Sequence, residues 1–174
     1  NYSFGLLDKV FRSTLDQLKF EQREVKDVLI LGLGVGNMVS VLSEYDHEMH
    51  FTGVEIDAEI IRLGKKHFEL DSYPKLRIVE TDAIAFVSDC HQRFDLVVVD
   101  LFVDATVPPQ AEEIAFLTHL DQVLRKPGLL LWNRLALSNE TRQHTDNFTR
   151  KMQQALPGTK SLRAHKNRVL CYEK

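Results

Sequence analysis

The sequence predicts an α/β fold: a doubly wound, mostly parallel Rossmann-like sheet with helices on both faces and a C-terminal antiparallel hairpin. Three observations carry that expectation. Compact apolar runs alternate with amphipathic stretches, the first run opens into a glycine-rich loop, and the last two runs are separated by only a few polar residues.

Taken in order, Phe4, Leu7, Phe11, Leu15 and Leu18 recur at spacings of three and four, with Val10 widening the stripe, which predicts a helix over residues 3–18. A charged connector from Lys19 to Asp27 then leads into Val28 to Leu31, a short apolar run bounded by glycine that suits a strand buried on both faces. Phe51 to Ile56, Leu76 to Val79, Phe94 to Val99 and Leu129 to Trp132 repeat that character. Helices are expected at Met38 to Leu42, at Ala58 to Phe68 after an Asp57 cap, at Ala83 to Val87, and at Thr141 to Leu156. Another is expected over Glu112 to Leu124, with Ile114, Leu117, Leu120 and Leu124 on one stripe before Lys126-Pro127-Gly128 stops it. Ser161 to Ala164 and Arg168 to Tyr172, joined by His165-Lys166-Asn167, read as the closing hairpin.

A length of 174 residues suits one core, and no internal repeat or boundary divides it, so residues 1–174 are read as a single domain with a nucleoside-binding core at 28–134 and a C-terminal helix and hairpin at 141–174. A hydrophobic fraction of 44%, a charged fraction of 27% and a net charge of -3 give no electrostatic footprint for nucleic acid or a membrane surface. A small-molecule site is expected instead. Cys90 and Cys171 lack the spacing of a disulfide framework or a zinc knuckle, and a reducing, cytoplasmic setting is the expectation. The His47 to His50 cluster reads as a solvated loop rather than a metal site, and adjacent Cys90-His91 is not expected to act as a nucleophile pair. The sequence begins at Asn1 rather than Met, which leaves upstream chain open.

In an open α/β sheet the ligand sits beyond the carboxyl ends of the strands, where strand order reverses. Three stations fall there. Gly32, Gly34 and Gly36 follow the first strand, where side chains would block close approach and the next helix offers free N–H groups. Glu55 ends the second strand, placed to accept hydrogen bonds from vicinal ribose hydroxyls, and Asp82 follows the third, placed to meet an adenine amine. The dinucleotide fingerprint is G-x-G-x-x-G, whereas this loop reads G-L-G-V-G-N, with Asn37 where the third glycine would fall. No second mononucleotide half is evident, so S-adenosylmethionine or a relative is favoured over NAD.

The runs V-L-I-L-G-L-G-V-G-N, G-V-E-I-D, T-D-A and F-D-L-V-V-V-D, spanning Val28 to Trp132, resemble the class I S-adenosylmethionine-dependent methyltransferase fold, and within it the spermidine synthase-like branch. Most methyltransferases carry an acid two residues before the first glycine; Ile30 stands there, as in the polyamine synthases. The resemblance implies that Gly32, Leu33, Gly34 and Gly36 line the methionine-derived part of S-adenosylmethionine or its decarboxylated form. It implies that Glu55 with Ile56 holds the ribose, that Asp82 with Ala83 meets the adenine, and that Asp100 closes the site. Two departures stand out. Val35 replaces the acid of the synthase loop G-G-G-D-G, and their D-S-x-D-P becomes D-L-F-V-D, so Asp100 matches the first acid while Asp104 lies one position beyond the second. Ahead of the first strand only the N-terminal helix is expected within residues 1–27, in place of the synthases' N-terminal β-hairpin domain. The synthases are dimers, which makes a homodimer an expectation, with part of that interface lying in that domain.

Asp100 is the expected base for an amine acceptor, with Asp104 assisting. The alternative for Asp100 is that it only closes the pocket, and Trp132-Asn133-Arg134 either lines the acceptor side or is core. The leading expectation is methyl transfer to a small-molecule acceptor, because Val35 removes one partner for an aminopropyl amine. An aminopropyltransferase and a non-catalytic nucleoside-binding module stand beside it.

Overall fold

The computed structural model describes the backbone of residues 4–102 and 107–174, with side chains from residue 8 onward. Its strands are β1 (Asp27–Leu31), β2 (His50–Glu55), β3 (Leu76–Glu80), β4 (Phe94–Val99), β5 (Leu124–Leu135), β6 (Lys160–Ala164) and β7 (Asn167–Glu173). The helices are α1 (Phe4–Gln17), α2 (Asn37–Ser43), α3 (Ala58–His67), α4 (Ala83–Asp89), α5 (Ile114–Val123) and α6 (Asn139–Ala155). One sheet runs in the order β3-β2-β1-β4-β5-β7-β6. The first five strands pair in parallel, and β7 is antiparallel to both β5 and β6. The chain leaves β1 for β2 on one side and returns to β4 on the other, so a crevice opens between β1 and β4 at their carboxyl ends.

Strand alternation sorts the core into two layers. Val28, Ile30, Leu96, Val98, Leu129 and Leu131 face α1 and α2, while Leu29, Leu31, Val97, Val99, Leu130 and Trp132 face α4, α5 and α6. Both faces of the central strands are buried, which is why the sequence shows continuous apolar runs there instead of alternation. Helix starts are fixed by side-chain oxygens. Asp57 accepts from Glu59 N at 2.8 Å to start α3, and Ser138 and Thr141 form a capping box at the start of α6.

Two elements differ from the sequence expectation. The segment read as one helix over Glu112 to Leu124 is a short 3-10 turn (Pro109–Glu112) followed by α5, because Glu113 is extended between them. The buried stripe of α5 is Phe116, Leu117, Leu120 and Val123; Ile114 is 49% exposed on its shoulder, and Leu124 has already entered β5 opposite Phe94. The fifth strand also extends past Trp132 to Leu135, because β7 pairs with it as far as Leu135, opposite Asn167. Asn133 and Arg134 are therefore buried strand residues. Trp132 is core, packed edge-on to Phe116 and Phe148. No helix among the described residues is long and apolar enough to cross a membrane.

Candidate active site

A cavity of about 810 Å³ occupies the crevice between β1 and β4. The glycine loop forms its floor. Gly32, Gly34 and Gly36 all have positive φ, which a tight loop after β1 demands. Gly32 has a further reason: a Cβ there would lie 2.4 Å from the carbonyl oxygen of Asp100, so this glycine lets the ends of β1 and β4 come together. A Cβ on Gly34 would meet nothing within 4 Å. Gly36 is set back from the cavity lining and serves as the N-cap of α2, against Leu70. The loop's amides are not free, as the sequence had suggested. Gly32 N and Leu33 N each donate to Val54 O at 2.9 Å, Gly34 N donates to Glu55 Oε2 at 2.8 Å, and Gly36 N donates to Leu33 O at 3.1 Å. The backbone thus stiffens itself against β2.

Glu55 is the hub of that arrangement, since its Oε1 also accepts from Ile56 N at 3.0 Å and Asp57 N at 3.1 Å. Ile56 follows it with its side chain 66% exposed, an apolar platform at the cavity edge. Asp82 lines the same cavity, yet it is also the N-cap of α4: Oδ1 accepts from Ile84 N and Ala85 N, both at 2.9 Å. Both cap bonds use one oxygen, leaving Oδ2 for the cavity. Ala83 packs beneath it.

Asp100 caps the end of β4, tied to β1 by its amide, which donates to Leu31 O at 2.8 Å. Its Oδ1 accepts from Asn133 Nδ2 at 2.8 Å, and Asn133 Oδ1 in turn accepts from Asn167 Nδ2 at 2.7 Å. Burial pushes the Asp100 carboxyl up to about 6; the Asn133 hydrogen bond opposes that rise and the Glu55 charge adds to it. Asp104 lies outside the described residues. Of the residues selected from sequence, Gly32, Leu33, Gly34, Glu55, Ile56, Asp82, Ala83 and Asp100 thus line one cavity.

The profile of the spermine/spermidine synthase domain matches residues 14–164. The chain belongs to this family. Among its relatives is a probable polyamine aminopropyl transferase from Bifidobacterium longum, 32% identical over 111 residues that cover 64% of this chain and 24% of that protein. An eEF1A lysine and N-terminal methyltransferase homolog from Drosophila pseudoobscura pseudoobscura is 32% identical over 127 residues, 67% of this chain and 18% of that protein. The chain therefore spans about a quarter or less of the length of these two relatives. Human methyltransferase-like protein 13, solved with SAH, superposes with a TM-score of 0.75 at 17% identity, covering 95% of this chain and 77% of that one. A spermidine synthase in complex with the transition state analogue AdoDATO superposes with a TM-score of 0.75 at 18% identity, over 89% of this chain and 57% of that one. At these identities the likeness establishes the fold, a class I S-adenosylmethionine-dependent methyltransferase fold.

Several residues of the cavity escaped the sequence reading. Phe11 of α1 lines the cavity from the face of the sheet that α1 and α2 cover, and Asn37 lines it with a buried Oδ1 that has no partner among the described residues. Beyond Phe102, which also lines the main cavity, a smaller one of about 230 Å³ is bounded by Arg134, His144 and Thr145. Arg134 Nη2 lies 2.5 Å from Glu112 Oε1 and 3.0 Å from His144 Nδ1, and its Cζ sits 4.5 Å over the Phe148 ring. That cluster ties the Pro109–Glu112 turn to β5 and α6. Asn133 stood in the sequence only within Trp132-Asn133-Arg134, open between acceptor lining and core, and Asn167 only in the hairpin connection; the β5–β7 pairing makes them diagonal neighbours and brings them to Asp100.

Proposed function

We propose that the chain is an S-adenosylmethionine-dependent transferase that moves a methyl group to a small amine acceptor, with Asp100 as the base. The observation that carries this reading is the position of Asp100, at the end of β4, in one cavity with the glycine loop and Glu55. The residues fit an adenosyl ligand. Glu55 offers a carboxylate to ribose hydroxyls, Asp82 Oδ2 an acceptor to an exocyclic amine, Ile56 an apolar face to the purine, and the orphaned Asn37 Oδ1 an acceptor to an ammonium. The family's relatives include both aminopropyl- and methyltransferases. Methyl transfer is favoured because Val35 lines the cavity at the loop position where the synthases carry an acid for the aminopropyl end.

A bound sulfonium supplies an electrophilic carbon and a neutral leaving group, so the protein's contribution is to position two reactants and to manage one proton. An alkyl amine with a pKa near ~10.4 is mostly protonated at pH 7, and exposing its lone pair costs about 4–5 kcal/mol. Asp100 holds the ammonium by charge and takes its proton. With its carboxyl pushed up to about 6, it is ionised at neutral pH yet a better base than an ordinary carboxylate.

Calorimetric titration with S-adenosylmethionine and with its decarboxylated form tests the reading. Preference for the intact form is expected; preference for the decarboxylated form would establish aminopropyl transfer despite Val35, and binding of neither would reject the transferase reading. A second expected result separates the two jobs of Asp82. Asp82→Asn retains a good N-cap and should change stability by less than about 0.5 kcal/mol, while adenosyl affinity falls roughly three- to tenfold as an amide donor meets the purine amine. Urea melts and the same calorimetry check both halves.

A further inference from the structure

Behind Asp100 the polar chemistry continues into the sheet. Asn133 and Asn167 are each 1% exposed, among the apolar side chains of β5 and β7. Asn133 pairs with Val169 and Asn167 with Leu135, which makes the two asparagines diagonal neighbours across the β5–β7 ladder. Burying two side-chain amides in a sheet is unfavourable unless both are hydrogen-bonded, and here the bonds from Asn167 to Asn133 and from Asn133 to Asp100 form one chain.

We propose that Asn133 and Asn167 are positioning residues: a two-amide relay that selects which oxygen of Asp100 receives the acceptor's proton. The inference rests on Asp100 being the base. An amide has one donating and one accepting end. Asn167 Nδ2 occupies the oxygen of Asn133, so the end that Asn133 presents to Asp100 is its NH2 group. A donor held on Oδ1 disfavours a proton on that oxygen. A flipped Asn133 would instead set its own oxygen against Oδ1, which only a protonated carboxyl could satisfy. Asp100 lines the cavity, and its Oδ2 has no hydrogen-bond partner among the described residues, so Oδ2 is the oxygen assigned to the acceptor. Asp100 therefore receives the proton on Oδ2: the ammonium N–H bond breaks and an Oδ2–H bond forms. The freed nitrogen lone pair makes the new N–C bond, and the C–S pair stays on sulfur. The charged group that bears on Asp100 among the described residues is Glu55, across the cavity on β2.

The test uses the whole chain with carbon-13-labelled aspartate and nitrogen-15-labelled asparagine, with Asp100→Asn assigning the Asp100 signal. In the unsubstituted protein, the side-chain amide signals of both Asn133 and Asn167 should move with the Asp100 titration midpoint. Asn167→Leu does not touch Asp100, yet it should raise that midpoint by about 0.5–1 unit, and Asn167→Ser, which keeps a donor, by less. Affinity for S-adenosylhomocysteine should stay within about twofold, because the glycine loop and Glu55 are untouched. An Asn167 amide signal that stays flat while Asp100 titrates would overturn the relay, as would an unshifted midpoint in Asn167→Leu. Both readouts are independent of turnover, so failure of the unsubstituted chain to bind any adenosyl ligand would instead count against the transferase reading.

Discussion

Asp100→Asn is expected to lower transfer to an amine acceptor by about 10²–10⁴-fold, the usual contribution of a positioned general base, while adenosyl affinity changes little. The same substitution should stabilise the fold. The Asp100 carboxyl is raised from 3.8 to about 6 in the folded chain, so between those values the folded state holds a proton that the unfolded state has released. Stability therefore falls as pH rises through that window, and above it the folded chain carries a cost of about 3 kcal/mol for keeping the carboxylate ionised. An amide at this position removes that cost, and it can still accept from Asn133. The variant should thus be more stable by on the order of 2–3 kcal/mol at pH 7.5, with the gap about halved at pH 5. Urea melts at the two pH values read it. In the unsubstituted chain, transfer should decline as pH drops through about 6, where Asp100 as the proposed base loses its capacity to accept a proton. An equally active variant would reject the base assignment, and one that is no more stable would reject the raised Asp100 carboxyl.

Glu55→Ala carries the second large effect. The side chain holds together three backbone amides, those of Gly34, Ile56 and Asp57, and it is the acid facing the proposed ribose position. Each charge-assisted hydrogen bond to a ribose hydroxyl contributes on the order of 1.5–3 kcal/mol, so loss of at least tenfold and up to about 10³-fold in S-adenosylhomocysteine affinity is expected. Three amides left without their acceptor should also loosen the loop, seen as faster hydrogen exchange at Gly34. Unchanged affinity would remove Glu55 from the site.

The sheet and the first half of the site were legible because both are written locally. A strand buried on both faces is a run of Val, Leu and Ile, and a loop forced to positive φ beside a neighbouring carbonyl is a glycine, as Gly32 is beside Asp100. Asp57 declared itself as a cap for the same reason, being two residues from the amide it serves. Asp82 was half legible: its position was visible, but its cap bonds to Ile84 and Ala85 depend on α4 starting at once. What sequence did not show was partnership across distance. Asn133 and Asn167 lie 34 residues apart and meet only when β7 pairs with β5, and the Arg134, Glu112 and His144 cluster needs three separate elements. The boundary of α5 was missed because Leu124 continues the helical spacing while its backbone has turned into β5.

The placement of β7 beside β5 has a consequence for assembly. The glycine loop, Glu55 and Asp82 all come from residues 27–83, within the parallel β1, β2 and β3 unit, whereas the inner member of the Asp100 hydrogen-bond chain is supplied by Asn167. During synthesis residues 27–83 emerge well before the hairpin, and until β7 docks Asn133 has no Asn167 amide to orient it. Under the proposed function, a chain with β6 and β7 undocked would keep the glycine loop, Glu55 and Asp82 but lack the amide chain that orders the proton acceptor. Grip and chemistry would then mature in sequence, with docking of the hairpin as the step that arms the site.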